Sequence, residues 1–211
     1  MALISTPPHT SWTHRLARVL VRPMVGTRIT PNHLTTGRLV TGIAACAAFL
    51  PGEPNWNLWG GILWLLSCLL DRADGELARL GGTSSAGGHR YDYYCDVAVN
   101  SLFFLAIGIG IGLGNGLENS GISSWAVALG VLSGLSVAIA SVLSERFEEA
   151  SDDDGKAYSG ILGFDFDDIL YLFGPAAWFG WFPYILIGAS ICGPIIAVLT
   201  WVRLSHLRKR N

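Results

Sequence analysis

Long apolar runs recur six times in this 211-residue chain, near 33–50, 57–79, 91–113, 123–145, 167–181 and 183–203. A helix needs ~20 apolar residues to cross ~30 Å of hydrocarbon. The expected fold is therefore an all-α integral membrane protein with six transmembrane helices. The fifth run is the shortest, and residues 180–184 (GWFPY) are the one turn signal separating it from the sixth, so five or seven helices stay open. Composition points the same way: 51% of residues are hydrophobic and 14% charged, against ~25% charged in soluble domains. A disordered tail and a nucleic-acid module are excluded. The 26 glycines and eight tryptophans suit helix contacts in a bilayer and its interface.

The formal net charge of -2 hides an asymmetry: residues 1–52 hold Arg15, Arg18, Arg22, Arg28 and Arg38 and no acid. Lys and Arg stay on the cytoplasmic side. With six helices and a cytoplasmic N-terminus, the outer loops are about 51–56, 114–122 and 180–183, and none contains a Lys or Arg. All fourteen basic residues then lie inside, including Arg203, Arg208, Lys209 and Arg210. Trp56, Trp59, Trp125, Trp178 and Trp181 gather at the outer ends as an aromatic belt.

Ahead of the first span, Trp12, Leu16, Val19 and Leu20 recur at helical spacing, with Arg15, Arg18 and Arg22 on other faces. The pattern predicts an amphipathic helix on the membrane surface; a merely basic leader would satisfy the orientation rule as well. The expected organisation is a surface segment over 1–32, a six-helix catalytic domain over 33–203 and a basic cytoplasmic tail over 204–211. Thr30 and Pro31 read as cap and first residue of the first span. The first long apolar run begins near Leu39, too late for a cleaved signal peptide. Cys46, Cys68, Cys95 and Cys192 are scattered singly and read as small hydrophobes rather than a metal or redox site.

Carboxylates are costly inside spans, so a cluster of them marks a site. The cluster falls in 71–96, DRADGELARLGGTSSAGGHRYDYYCD. Asp71, Asp74, Gly75 and Ala78 share a face at the inner end of the second span, and Asp92 and Asp96 share one at the start of the third. Gly81, Gly82, Gly87 and Gly88, with Thr83, Ser84 and Ser85, are expected to form the turn that brings the faces together. Facing carboxylates repel by roughly 4 kcal/mol per pair at ~4 Å and an effective dielectric of ~20. With Arg79 the one cation among them, a bound metal is required. An all-oxygen donor set favours Mg²⁺ or Mn²⁺, one or two ions with positions left for phosphate oxygens. Gly75 lets a ligand approach the backbone, and Arg79 one turn on is a donor to phosphate.

This spacing, Asp71-x2-Asp74-Gly75-x2-Ala78-Arg79-x8-Gly88-x3-Asp92-x3-Asp96, resembles the signature of the CDP-alcohol phosphotransferase family at all eight fixed positions. Residues 30–35 (TPNHLT) resemble the Pro-Asn-x-x-Thr start of that family's first helix. The resemblance implies a membrane transferase of phospholipid synthesis, moving a phospho-alcohol from a CDP-alcohol to a second alcohol with release of CMP. It implies that Asp71, Asp74, Asp92 and Asp96 bind metal, that Asp96 is the general base, and that Asn32, Thr35, Gly75, Ala78, Arg79 and Gly88 hold the nucleotide. It also implies a homodimer. A CDP-diacylglycerol donor is preferred over a CDP-linked soluble head group because a surface helix suggests access from the bilayer. The cytoplasmic membrane, with the site facing the cytoplasm, is the expected location.

Two further expectations come from the residues. Residues 145–168 hold nine acids against Arg146 and Lys156, which suits a neutral or cationic acceptor flanked by Phe164, Phe166, Tyr171 and Phe173. The alternative is that this run is a solvated loop, with Arg28, Arg38 or Arg90 lining the pocket. Gly130-x3-Gly134 reads as ordinary helix packing ahead of a dimer seam. A divalent-cation transporter could use such acids too, but would be expected to place them near the midplane within a repeat.

Overall fold

The structure, a computed structural model, describes residues 11–113, 123–150 and 166–208. The described residues are helical, with no strand among them. A surface helix α1 (Trp12–Val21) leads into the long helices α2 (Pro31–Phe49), α3 (Pro54–Gly81), α4 (Ala86–Leu113) and α5 (Ser123–Ala150). A 3-10 segment (Phe166–Leu172), the short α6 (Phe173–Trp178) and the long α7 (Phe182–Arg208) complete the order. Three helices are long and apolar enough to cross a membrane by length and composition: Ala86–Leu113, Ser124–Ala150 and Phe182–Arg208. The helices α2 and α3 carry Arg38, Asp71, Arg72, Asp74, Glu76 and Arg79, and these charges lower their apolar content.

The fifth expected span, 167–181, is the main departure. It is a 3-10 segment followed by one and a half turns of α-helix rather than a continuous helix. At ~2.0 and ~1.5 Å per residue it reaches only about 23 Å. Side chains tie its irregular backbone to α3: Trp64 Nε1 donates to the Leu170 carbonyl (2.9 Å), Tyr171 Oη to the Cys68 carbonyl (2.8 Å) and Trp178 Nε1 to the Leu58 carbonyl (3.2 Å). Non-helical backbone at membrane depth survives where protein surrounds it. A positive-φ Gly180 (68°) then turns the chain into α7, which continues past the expected boundary at 203 to Arg208.

Rings fill the core. Phe49, Trp64, Phe103 and Phe182 are buried together, and Phe173 stacks on Phe103 with centroids 4.8 Å apart. Phe173 thus packs against this core as a partly buried ring, and Tyr171 donates its hydroxyl to the Cys68 carbonyl. Phe164 lies outside the described residues, as do the expected loop 114–122, the acids 152–154 and 165, and Lys209 and Arg210.

On the far side of α4, Gly108 and Gly130 bring two backbones into contact. A Cβ on Gly108 would lie 2.7 Å from the Ala126 carbonyl oxygen, one on Gly130 2.7 Å from that of Phe104, and one on Gly134 2.7 Å from that of Ser101. The Gly130-x3-Gly134 pair thus packs α5 on α4 within the chain. Cys46, Cys68 and Cys95 are buried, Cys192 is exposed, and all four are free thiols. Trp56, Trp59, Trp125, Trp178 and Trp181 are all exposed.

The helix α1 forms where the spacing put it. Trp12, Leu16, Val19 and Leu20 face away from the protein, while Thr13, His14, Ala17 and Val21 are buried against the bundle. An outward apolar stripe on a surface helix is the geometry of interfacial insertion.

Candidate active site

Thr30 caps α2 and Pro31 opens it. The reciprocal bond comes from His33, whose Nδ1 accepts the Thr30 N–H at 3.2 Å. The helix α3 ends at Gly82, in the left-handed conformation (φ 61°), with the Thr83 N–H returning to the Ala78 carbonyl at 3.0 Å. That closure is a Schellman-type stop. Residues 82–85 alone form the connection to α4, so Gly87 and Gly88 belong to the first turn of α4 and not, as expected, to the turn. Ser85 caps α4 by accepting the Gly88 N–H at 3.1 Å. A side chain on Gly88 would crowd that hydroxyl (3.1 Å) and Asn32 Oδ1 (3.3 Å), so the glycine brings the start of α2 against the start of α4.

This short connection sets Asp71 and Asp74 of α3 against Asp92 and Asp96 of α4. Asp71, Asp92 and Asp96 each offer an oxygen, and these lie within 4.8 Å of one another. Asp74 neighbours Asp92 but is engaged by Thr35 of α2, whose hydroxyl donates to Asp74 Oδ2 at 2.6 Å. Asp92 Oδ1 is buried without a hydrogen-bond partner. Three hard oxygen donors and an orphaned carboxylate oxygen fit a divalent cation.

Arg79 is not the cation beside these acids. That place belongs to Arg38 of α2, whose Nε donates to Asp71 Oδ1 at 2.6 Å and whose Nη2 lies 2.5 Å from Asp96 Oδ1, with the side chain 3% exposed. Its forked guanidinium meets two carboxylates from different helices at once. Of Arg28, Arg38 and Arg90, Arg38 is the buried one and the one in contact with these carboxylates. Its signal in the sequence is a charge inside an apolar run, which suits the orientation rule and a pocket-lining role equally.

Arg79 instead donates from Nη2 to Glu76 Oε1 at 2.7 Å, beside His14. Its guanidinium also lies over Gly75, where a Cβ would meet Nη2 at 3.2 Å. Ala78 is half-buried on the carboxylate face, and Asn32 is exposed at the mouth. The acids of the 166–168 stretch are used structurally: Asp168 is buried, accepts from Thr13 Oγ1 at 2.6 Å and pairs with Arg72 (3.4 Å), which also faces Asp167 (3.8 Å). Asp167 itself is exposed, while Asp168 is tied into these contacts. Glu145 pairs with His89 at 3.0 Å across α4 and α5.

The family model for CDP-alcohol phosphatidyltransferase matches residues 28–203, most of the chain and every residue of this site. The chain belongs to that family. It is a CDP-alcohol phosphotransferase, an integral membrane enzyme of phospholipid synthesis. Among solved structures, the phosphatidylinositol phosphate synthase of Mycobacterium tuberculosis, crystallised with CDP-DAG bound, superposes with a TM-score of 0.58 at 17% identity, over 92% of each chain. At that identity the likeness is one of fold. No curated protein matches the chain significantly. Four acids, the buried Arg38, Gly75 and Gly88 thus lie on the facing parts of α2, α3 and α4.

Proposed function

We propose that the transferase moves a phosphatidyl group from CDP-diacylglycerol to an acceptor alcohol, at a site on the cytoplasmic face of a six-span bundle. The observation that carries this reading is the carboxylate trio Asp71, Asp92 and Asp96, its oxygens within 4.8 Å and supplied by two helices. Asp71, Asp74, Asp92 and Asp96 are the residues that would hold Mg²⁺ or Mn²⁺, whose bound charge neutralises the pyrophosphate and the departing CMP. Gly75 and Ala78 offer a flat backbone face to the nucleotide, Arg79 a guanidinium to its diphosphate, and Asn32 and Gly88 the rim of the mouth. Thr35 holds Asp74 in place. Asp96 accepts the proton from the acceptor hydroxyl as the new oxygen–phosphorus bond forms and the bond to CMP breaks. A donor with two acyl chains fits the neighbour's bound CDP-DAG and the outward apolar face of α1.

The test is CMP release from purified protein given CDP-diacylglycerol, Mg²⁺ and a panel of alcohols. Release that needs both an alcohol and the metal supports the reading, and the lipid formed names the acceptor. Full turnover in excess chelator would remove the metal from it. A separate measurement needs no turnover: Mg²⁺ should raise the unfolding temperature, increasingly so as its concentration passes its dissociation constant.

A further inference from the structure

Glu76 is the most buried acid of α3, at 0% exposure, and it does not face the other acids. Successive helical residues are turned by about 100°, so Arg72, Glu76 and Arg79 form a stripe beside that of Asp71, Gly75 and Ala78. Three groups converge on its carboxylate. Arg18 Nε of α1 donates to Oε2 at 2.7 Å, Arg79 Nη2 donates to Oε1 at 2.7 Å, and His14 Nδ1 of α1 lies 3.0 Å from Oε1. Arg18 takes one oxygen and leaves the other to Arg79. The same guanidinium lies against Gly75, where an added Cβ would lie 3.2 Å from Nη2 and 3.4 Å from Nη1. The guanidinium is thus held by a carboxylate beside a bare stretch of backbone.

We propose that Glu76 is a positioning residue for the CDP-alcohol donor: with α1 docked, it fixes the Arg79 guanidinium over Gly75, so that the surface helix completes the diphosphate site. The proposal rests on the reading of Gly75 and Arg79 as donor-binding residues. An arginine at the end of a helix has many rotamers, and ordering it on binding weakens affinity. Glu76 orders it beforehand. A fully buried carboxylate is itself costly unless it is paired, and it is the docking of α1 through Arg18 and His14 that supplies the rest of the pairing. The helix on the membrane and the nucleotide site therefore share one carboxylate.

The experiment is equilibrium binding of labelled CDP-diacylglycerol, with Mg²⁺, to the full-length protein in detergent, comparing wild type, Glu76→Gln, Arg79→Ala and the double variant. Loss of a charge-assisted hydrogen bond corresponds to about tenfold in affinity. Glu76→Gln is expected to weaken binding by about tenfold, and the double variant should bind no more weakly than Arg79→Ala alone, since the two act as a unit. Effects that multiply would make Glu76 merely structural and overturn the proposal. Should Glu76→Gln not yield folded protein, Arg18→Ala tests the same link from α1, with about threefold weaker binding expected; unchanged binding there overturns it. If Arg79→Ala binds as wild type does, the donor assignment of Arg79 falls first. If Arg79→Ala weakens binding and Glu76→Gln does not, that assignment stands and the positioning role alone is lost.

Discussion

Arg38 stands 33 positions before Asp71, yet it is the residue that joins carboxylates of two helices. Without its charge, three carboxylates whose oxygens lie within 4.8 Å repel one another, by roughly 4 kcal/mol per pair at ~4 Å and an effective dielectric of ~20. Arg38→Met should therefore lower the unfolding temperature in chelator and enlarge the rise produced by Mg²⁺, because the cation then relieves more repulsion. A thermal-shift titration reads both, and equal midpoints for variant and wild type in chelator would contradict the argument. Asp96 and Asp71 differ in another way. Asp96→Asn is expected to depress kcat by a hundredfold or more, on the order of what a general base contributes, with little change in donor affinity. Asp71→Asn should damage kcat and donor affinity together, and equal losses of donor binding in the two variants would refute the split. The four aspartates were legible because their spacing is a motif. Arg38 is legible only as one of three arginines open for the pocket, because a lone arginine in the first span serves the orientation rule equally well, and Glu76 is not legible, because a lone glutamate beside the motif has no spacing to betray its partners.

Among the elements, the α4–α5 contact leaves the least tolerance. Gly108 and Gly130 admit no side chain, since an added Cβ on Gly130 would lie 2.7 Å from the Phe104 carbonyl oxygen and 3.1 Å from Gly108 Cα. Gly130→Val should therefore destabilise the protein by about 1–3 kcal/mol, the usual cost of overpacking. Its unfolding temperature in detergent should fall by several degrees, and a midpoint equal to that of wild type would mean the helices can separate cheaply. The helix α1 was readable from sequence because an apolar stripe opposite arginines has a single planar solution at an interface. The segment after α5 was not. Apolar content alone cannot distinguish a helix that faces lipid from a short, broken one surrounded by protein, and the bonds that hold it, Trp64 to the Leu170 carbonyl and Tyr171 and Trp178 to carbonyls of α3, are tertiary contacts. The same holds for Asp168, which hydropathy counts as a solvated charge but which lies buried between Thr13 and Arg72.

For the whole molecule, the distribution of basic residues makes a topological prediction. Single cysteines at Glu53 and at Gly180, in a background lacking the four native thiols, should react with a membrane-impermeant maleimide added outside intact cells. One at Arg208 should react only after the membrane is opened. Labelling of Arg208 from outside would reverse the orientation, and labelling of Gly180 from inside alone would change the number of spans. The helix α3 sits at the centre of this arrangement. Its carboxylate stripe faces α2 and α4, and its ionic stripe, Arg72, Glu76 and Arg79, faces α1 and the 3-10 segment. Both stripes are rigidly attached to one axle. Side-chain tips about 5 Å from a helix axis travel about 1.7 Å when the helix turns by ~20°, and they do so on every side at once. A displacement of 1 Å at reacting groups is enough to cost about a hundredfold in rate. A turn of α3 would thus move its contacts with α1 and its carboxylates together, since both stripes are carried by the same helix.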